Sequence, residues 1–141
     1  MQVYTAAFIG NFERVFGIEN ISALLERGEK RTARFERFQS SYTEKIRNTI
    51  FEWIEDDFMT NGFWSDGDFI FLHWTAFTND QQRTIAKILA ACKEGTYVIT
   101  FTSPIPGDDY DILVHDTCVT SWGLSDFYFQ EKITPAKKRN V

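Results

Sequence analysis

The fold is decided by the stretch Trp64–Thr102, which reads WSDGDFIFLHWTAFTNDQQRTIAKILAACKEGTYVITFT. Its apolar run Asp68–His73 has the length and the β-branched and aromatic content of a strand that is buried on both faces. Apolar residues then recur at helical spacing over Gln81–Cys92, and Thr96–Thr102 is a second apolar run. A strand, a helix and a strand in succession predict a βαβ crossover, and therefore an α/β domain with a parallel sheet.

Signals at the ends of these elements indicate their bounds and the functional edge of the sheet. Thr78-Asn-Asp80 supplies N-cap chemistry, and Lys93-Glu-Gly95 places a glycine at the C′ position of the helix. Ligands of parallel sheets bind beyond the carboxyl ends of the strands. We therefore expect functional residues in His73–Phe77 and at Ser103-Pro104.

Length and composition indicate one soluble, intracellular domain. The chain has 141 residues, enough to bury a core, and its net charge of −5 argues against binding nucleic acid through bulk charge. No apolar run is long enough to span a bilayer, and nothing at the N-terminus resembles a signal peptide. Cys92 and Cys118 lie in apolar patterns, so we expect reduced core residues rather than a disulfide or a metal site.

The N-terminal part of the chain predicts a helix, a strand and a long helix. Met1–Phe8 resembles the end of a helix, and Glu13–Glu19 resembles a short strand that ends in an acid. An acid at this place binds ribose hydroxyls in nucleotide-binding α/β folds, although an exposed glutamate at a strand end commonly has no specific role. Asn20 is a suitable N-cap for a helix over Ile21–Asn48, whose predicted inward face consists of Leu24, Leu25, Phe35, Phe38, Tyr42 and Ile46.

An acidic cluster follows the next predicted strand, Thr49–Ile54. Glu55, Asp56 and Asp57 lie at its carboxyl end, where they can meet the polar edge of a ligand. Phe58 would then form an apolar wall, but an acidic turn explains the same residues equally well. Carboxylates in a cluster also suggest a divalent metal, yet no histidine pattern supports one, and we expect no metal site.

The C-terminal part predicts an antiparallel hairpin that closes one edge of the sheet. Asp111–Thr120 and Asp126–Ile133 have strand composition and are joined across Ser121–Ser125. The consecutive aromatic residues Phe127–Phe129 require at least one ring to point away from the core or to line a pocket.

Few residues are suited to acid–base or covalent chemistry. His73 ends the central strand, where a titratable group would face a ligand, whereas His115 falls within a predicted strand and is expected to be structural. No nucleophile elbow, zinc-ligand spacing, P-loop or glycine-rich dinucleotide loop occurs. Acyl transfer, phosphoryl transfer and metal-dependent hydrolysis therefore lack candidate residues, while methyl transfer, which depends more on positioning, stays open.

The order of elements and several short motifs resemble a class I S-adenosylmethionine-dependent methyltransferase. The chain is most similar to the disruptor-of-telomeric-silencing family, non-SET enzymes that methylate a lysine on the core surface of histone H3. Val15–Glu19 is similar to the family's acid-tipped second strand, and Glu55–Phe58 is similar to its Gly-Asp-Phe segment. The resemblance implies a Rossmann-like, mostly parallel sheet with a C-terminal antiparallel hairpin, and S-adenosylmethionine as the cofactor.

The same resemblance assigns roles to individual residues. Ile70–Phe77 is similar to the family segment that carries two asparagines and a Phe-Ala-Phe, and Ser121-Trp122 with Phe127-Tyr128 resembles the Ser-Trp and tyrosine pair that wall the lysine channel. It implies a cofactor-binding set of Glu19, Asp57, Phe58 and His73. It implies a catalytic set of His73, Trp74, Phe77 and Trp122.

The chain also departs from the family pattern. His73-Trp74 stands where the family has the asparagine pair, one of which contacts cofactor and substrate, and Phe127 stands where a tyrosine is expected. The sequence begins downstream of the family's first strand and its Asp/Glu-x-Gly-x-Gly loop. We therefore expect an N-terminally truncated methyltransferase domain over residues 1–134, a basic tail over residues 135–141, and an isolated chain that is inactive.

Two other interpretations stay open. A non-catalytic pseudo-methyltransferase scaffold that pairs with a partner subunit would account for the missing loop and for His73-Trp74. A fragment of a dinucleotide-binding oxidoreductase would also use Glu19 at a ribose, although the closing hairpin favours the methyltransferase.

The resemblance further implies partners and a location. Its substrate would be the nucleosome, through histone H3, and its location the nucleus. Lys137-Lys138-Arg139 is a short basic cluster that fits nuclear import, and a solubilising tail is the alternative. The acidic net charge predicts weak direct DNA binding by this chain alone, and we expect no membrane partner.

Overall fold

The structure, a computed structural model, describes residues 2–10 and 12–134. The chain folds as two compact units, Met1–Asn61 and Gly62–Val141. The elements of the first unit are α1 (Gln2–Ile9), β1 (Arg14–Glu19), α2 (Ser22–Glu36), a 3₁₀ turn (Gln39–Ser41), α3 (Glu44–Arg47) and β2 (Ile50–Glu55). The elements of the second unit are a 3₁₀ turn (Phe63–Asp66), β3 (Phe69–Leu72), α4 (Asn79–Leu89), β4 (Tyr97–Phe101), β5 (Tyr110–Thr120) and β6 (Gly123–Lys132).

The first unit is a parallel strand pair with α2 packed against it. β1 and β2 pair in register from Arg14–Ile50 to Glu19–Glu55, so both strands end in a glutamate at the same edge. The buried side of α2 includes Gly28 and Thr32, and the Trp53 indole of β2 donates a hydrogen bond of 2.9 Å to the Thr32 hydroxyl. The predicted short strand that ends in an acid is confirmed.

The predicted long helix over Ile21–Asn48 is wrong, because α2 ends at Glu36. Serine and threonine side chains compete for backbone hydrogen bonds, and Ser40, Ser41 and Thr43 occupy the break before α3. Two residues of the predicted inward face are exposed: Phe38, which lies in the break, and Leu24, which lies within α2.

The N-terminus of α2 also differs from the prediction. Its N-cap residue is Ile21 rather than Asn20, and no side chain of the cap residue bonds the first turn. The Glu19 carboxylate takes that role from outside the helix, because its Oε1 accepts a hydrogen bond of 3.0 Å from the Ile21 amide.

The second unit contains the predicted βαβ crossover. β3 and β4 are parallel neighbours in a four-stranded sheet of order β3-β4-β6-β5, and α4 connects them. The predicted cap is confirmed: Thr78 and Gln81 form a capping box at the start of α4. Ile85 and Leu89 of α4 are fully buried, so the core of this unit lies between α4 and one face of the sheet.

Two details of the crossover correct the predictions. β3 is an edge strand, and Phe71 is 38% exposed, so this strand is not buried on both faces. α4 ends at Leu89 with Ala90 as its cap residue, so Gly95 is not at the C′ position. Gly95 instead has φ of +84° in the turn into β4, where its amide donates to the Lys132 carbonyl.

The predicted C-terminal hairpin is confirmed, and its turn is shorter than expected. β5 and β6 pair antiparallel as far as Thr120–Gly123, which leaves only Ser121 and Trp122 in the turn. β6 also pairs antiparallel with β4, so the hairpin closes the sheet on one side. The residues of the basic tail, 135–141, lie outside the described part of the chain. No helix among the described residues is long and apolar enough to cross a membrane.

Candidate functional site

Two glutamates lie side by side at the carboxyl ends of the parallel strands β1 and β2. Glu19 and Glu55 are register partners, and the N-terminus of α2 holds both of them. Ile21 donates its amide to Glu19, while the Ser22 hydroxyl donates to Glu55 Oε1 at 2.6 Å. Each interaction uses one carboxylate oxygen, and the second oxygen of each residue forms no hydrogen bond with the described residues.

The loop after β2 separates the roles of two neighbouring aspartates. Asp56 uses both oxygens within the loop: Oδ1 accepts from the Asp57 amide at 2.8 Å and Oδ2 from the Asn61 side chain at 3.1 Å. Among the described residues, Asp57 is bonded through Oδ1 alone, which accepts from the Met59 amide at 2.9 Å. Asp56 therefore shapes the turn, and Asp57 retains a carboxylate oxygen for a ligand. Phe58 is half-buried beside it.

These carboxylate groups, which are hydrogen-bond acceptors, determine which ligand groups they can bind. Carboxylate oxygens accept hydrogen bonds from hydroxyl and amino groups, and they repel phosphate. The acidic edge of the first unit, which we define as Glu19, Glu55 and Asp57, therefore fits a sugar diol and an exocyclic amine, and any phosphate group of the ligand would have to lie away from these side chains.

His73 lies in a group of aromatic rings in the second unit. Its imidazole is parallel to the Phe101 ring, with centroids 4.5 Å apart, and meets the Trp122 ring edge-on at 5.3 Å. Phe71 completes the group, at 5.3 Å from His73 and 5.5 Å from Phe101. The structure thus places two of the proposed catalytic residues, His73 and Trp122, in direct contact.

The rings around His73 set its protonation state. Burial by these neighbours lowers the pKa of the His73 imidazole below 6.5. The imidazole is therefore neutral at pH 7 and has a nitrogen that can accept a proton.

Trp74 and Phe77 have different surroundings. The Trp74 side chain is fully buried, and its indole N–H donates a hydrogen bond of 3.1 Å to the Ser103 carbonyl. The Trp74 carbonyl accepts from the Phe77 amide at 2.9 Å, and Phe77 is half-buried. Trp74 thus fastens the loop after β3 to the loop after β4.

The structure adds residues that the sequence analysis missed. Phe71 and Phe101 are ring neighbours of His73, and the parallel pairing of β3 with β4 is the signal that would have aligned them. Thr102, just beyond Phe101, has φ of 75°, which is strained for a β-branched residue. Its hydroxyl donates to the Thr75 hydroxyl at 3.0 Å, so both loops meet beside the ring group.

The described residues form no candidate metal site. Across residues 2–10 and 12–134, no group of three or more His, Cys, Asp or Glu side chains is placed to hold a metal ion. Cys92 is buried, and neither it nor Cys118 forms a disulfide.

The fold is shared with known methyltransferases. One solved structure is a protein assigned as a methylase from Haemophilus influenzae, with a TM-score of 0.58 and 12% identity over 86% of this chain and 74% of that chain. Another is the magnesium protoporphyrin IX methyltransferase of Synechocystis PCC 6803 with bound S-adenosylmethionine, with a TM-score of 0.65 and 12% identity over 92% of this chain and 64% of that chain. At such low identity the likeness establishes the fold, and it confirms the predicted Rossmann-like methyltransferase sheet.

Sequence comparison supplies the family. No curated protein has a sequence that matches this chain. Residues 1–121, however, match the family model described as histone methylation protein DOT1. Because this match spans most of the sequence, the chain belongs to the DOT1 family of histone methylation proteins.

Proposed function

We propose that this chain is part of a methyltransferase domain that uses S-adenosylmethionine to methylate a lysine of histone H3, and that the isolated chain is inactive. The observation that carries the proposal is the acidic edge of the first unit in a chain of the DOT1 family. Its carboxylates keep oxygens without partners among the described residues, at the ends of parallel strands where such folds bind nucleosides. The domain would extend over residues 1–134, with residues 135–141 as a basic tail.

The acidic edge would bind the adenosine part of the cofactor. Glu19 would accept hydrogen bonds from the ribose hydroxyls through Oε2, and Asp57 would accept one from the adenine amine through Oδ2. Phe58 would lie against the adenine ring. When bound, S-adenosylmethionine would supply an electrophilic methyl group.

The ring group of the second unit would act on the target lysine. A lysine ammonium must lose a proton before its nitrogen can act as a nucleophile. The His73 imidazole would accept that proton: its lowered pKa keeps a ring nitrogen free at pH 7, although it also makes the imidazole a weaker base. Trp122 and Phe77 would border the lysine side chain, and Trp74 would act by holding in place the loop after β3, which carries His73 and Phe77.

The proposed substrate also implies a partner and a location for the protein. Nucleosomal histone H3 would place the protein in the nucleus, in chromatin regulation. The net charge of −5 supports weak direct DNA binding, so the histone surface would supply most of the affinity.

Calorimetric titration with S-adenosylmethionine tests the proposal. We expect binding by the wild-type chain, and a loss of about tenfold or more in affinity for Glu19→Gln and for Asp57→Asn. Glu13→Gln is the matched control, because Glu13 is exposed and precedes β1 at its opposite end. Equal affinity for all four proteins, or no binding by the wild type, would contradict the proposal.

One observation favours a second candidate, a non-catalytic scaffold that pairs with a partner subunit. Trp74 stands in the segment where the family resemblance expects asparagines, and its side chain is fully buried and bonded to Ser103. The scaffold predicts cofactor binding or partner binding without methyl transfer. Transfer of a labelled methyl group to histone H3 would exclude it.

A further inference from the structure

The hairpin of β5 and β6 extends beyond the rest of its sheet. β4 ends at the pair Phe101–Phe127, and four further pairs of β5 and β6 follow, from Thr117–Asp126 to Thr120–Gly123. At about 3.4 Å per residue, these four pairs make a two-stranded ribbon about 14 Å long. Ribbons of this kind expose backbone and side chains to a partner unless charge or a covering element protects them.

The end of the ribbon is apolar and exposed. Val119 and Leu124 are directly opposite each other, and they are 84% and 75% exposed. Trp122, in the turn, is 54% exposed and touches His73. The hairpin tip, which we define as Val119, Trp122 and Leu124, is thus continuous with the ring group around His73. Exposed apolar side chains that cluster in this way commonly mark an interaction site.

The ribbon carries an excess of negative charge. No lysine or arginine occurs between Lys93 and Lys132, and the carboxylates nearest the tip are Asp116 and Asp126. The other carboxylates of this range, Glu94, Asp108, Asp109, Asp111 and Glu131, lie toward the opposite end of the hairpin. Lys132 itself is buried and bonded to the Ala90 carbonyl, so it presents little charge to a partner. The surface around the hairpin tip therefore complements positive charge.

We propose that the hairpin tip is a docking element for the substrate protein, and that it receives a lysine- or arginine-rich segment through an apolar side chain of that segment. Val119 and Leu124 would take up the apolar side chain, and Asp126, which lies on the same face of the ribbon, would face a basic residue of the segment. The inference rests on the proposed function, because contact between Trp122 and His73 puts the docked segment beside the residue that would accept the lysine proton.

The test measures binding of labelled recombinant H3–H4 tetramer, and of naked DNA, to the full chain. The variant Val119→Thr/Leu124→Thr removes the apolar surface and keeps high strand propensity. We expect it to weaken histone binding about tenfold. Asp126→Asn should weaken histone binding about threefold and reduce its salt dependence, whereas Asp116→Asn, on the opposite face of the ribbon, should not. The matched control is Ile112→Thr/Val114→Thr, which changes two residues of β5 that are 47% and 45% exposed away from the tip; its histone binding should equal that of the wild type.

The outcomes separate this inference from the proposed function. Cofactor binding depends on the first unit and should be unchanged in the tip variant, so failure of the wild type to bind S-adenosylmethionine would refute the proposed function alone. Equal histone binding by the wild type and the tip variant, or binding of DNA only, would overturn the docking element. A tip variant that binds histones normally but loses self-association in sedimentation would also overturn it, because the tip would then bind a second copy of the chain.

Discussion

The His73 imidazole lies parallel to the Phe101 ring, with 3° between the ring planes and 4.5 Å between their centroids. The arrangement follows from the parallel pairing of β3 with β4, since Leu72 is the register partner of Thr100 and the next residues along the chain are His73 and Phe101. Two parallel strands thus deliver an imidazole and a shielding ring to the edge where ligands of such sheets bind.

The first prediction concerns the titration of His73. Its pKa in the folded protein is below 6.5 because the neighbouring rings exclude water. Folding therefore favours the neutral imidazole, and the stability that this provides is present above pH 6.5 and decreases as the pH falls below that value. NMR titration should show the lowered pKa, and Phe101→Ala should raise it. The variant His73→Gln should lack this part of the acid-induced loss of stability, and an unshifted His73 resonance would contradict the assignment.

The second prediction concerns alkaline stability. Burial, with the Cys92 thiol as a neighbour, raises the pKa of Tyr110 above 10, and its hydroxyl donates to the Leu89 carbonyl at 2.9 Å. The stability from the protonated phenol is therefore present below pH 10 and is lost as the pH rises above it. Tyr110→Phe should cost about 1 kcal/mol at pH 7 and should flatten the alkaline loss. Cys92→Ala is the control, because burial also raises the pKa of Cys92. This variant should keep the alkaline loss of stability that is due to burial of Tyr110.

The third prediction concerns Lys132 as a cap of α4. Its ammonium donates to the Ala90 carbonyl at 3.0 Å, lies 3.5 Å from Asp109, and has a side chain that is only 10% exposed. Lys132→Met should reduce the free energy of unfolding by about 1–3 kcal/mol, measured by urea denaturation. Lys93→Met removes an exposed ion pair with Asp68 and should cost no more than about 0.5 kcal/mol. Equal losses in the two variants would show that burial of the Lys132 pair is unimportant.

The fourth prediction concerns Gly28 in α2. A Cβ atom at this position would lie 2.6 Å from the Trp53 ring. Gly28→Ala should therefore destabilise the protein by about 1–3 kcal/mol, although alanine in a helix normally gains about 1 kcal/mol. In a Trp53→Leu background the same change should cost less, because the ring is gone. A stabilising effect in the wild-type background would mean that α2 can shift away from β2.

Much of the fold follows from local patterns in the sequence. The apolar runs before and after α4, together with the Thr78 cap, predict the βαβ crossover, because local hydrogen bonding and burial act in the same direction there. The acid at the end of Glu13–Glu19 likewise predicts a ligand edge. β1 and β2 end side by side because Glu19 is the register partner of Glu55, and the sequence alone does not determine that register.

Other features depend on packing that a single sequence does not display. The polar break after α2 has the same composition as a solvated helix face. The apolar periodicity on either side therefore predicted one helix that runs through Ser40 and Ser41. Phe71 has the composition of a core residue and nevertheless lies exposed on the edge strand, next to His73. The burial of Trp74 could not be predicted from the sequence either. An indole beside a candidate histidine suggests a ligand contact as readily as a hydrogen bond to Ser103.

The central claim is that the acidic edge of the first unit binds S-adenosylmethionine. The most direct measurement is amide hydrogen exchange of the full chain with and without S-adenosylmethionine, with NAD as the comparison ligand. We expect protection by S-adenosylmethionine at residues 19–22 and 55–59, where Glu19, Glu55 and Asp57 meet the N-terminus of α2 and the loop after β2. NAD needs a glycine-rich loop to hold its pyrophosphate, and this sequence has none, so NAD should protect neither segment. No protection by S-adenosylmethionine, or equal protection by both ligands, would contradict the claim.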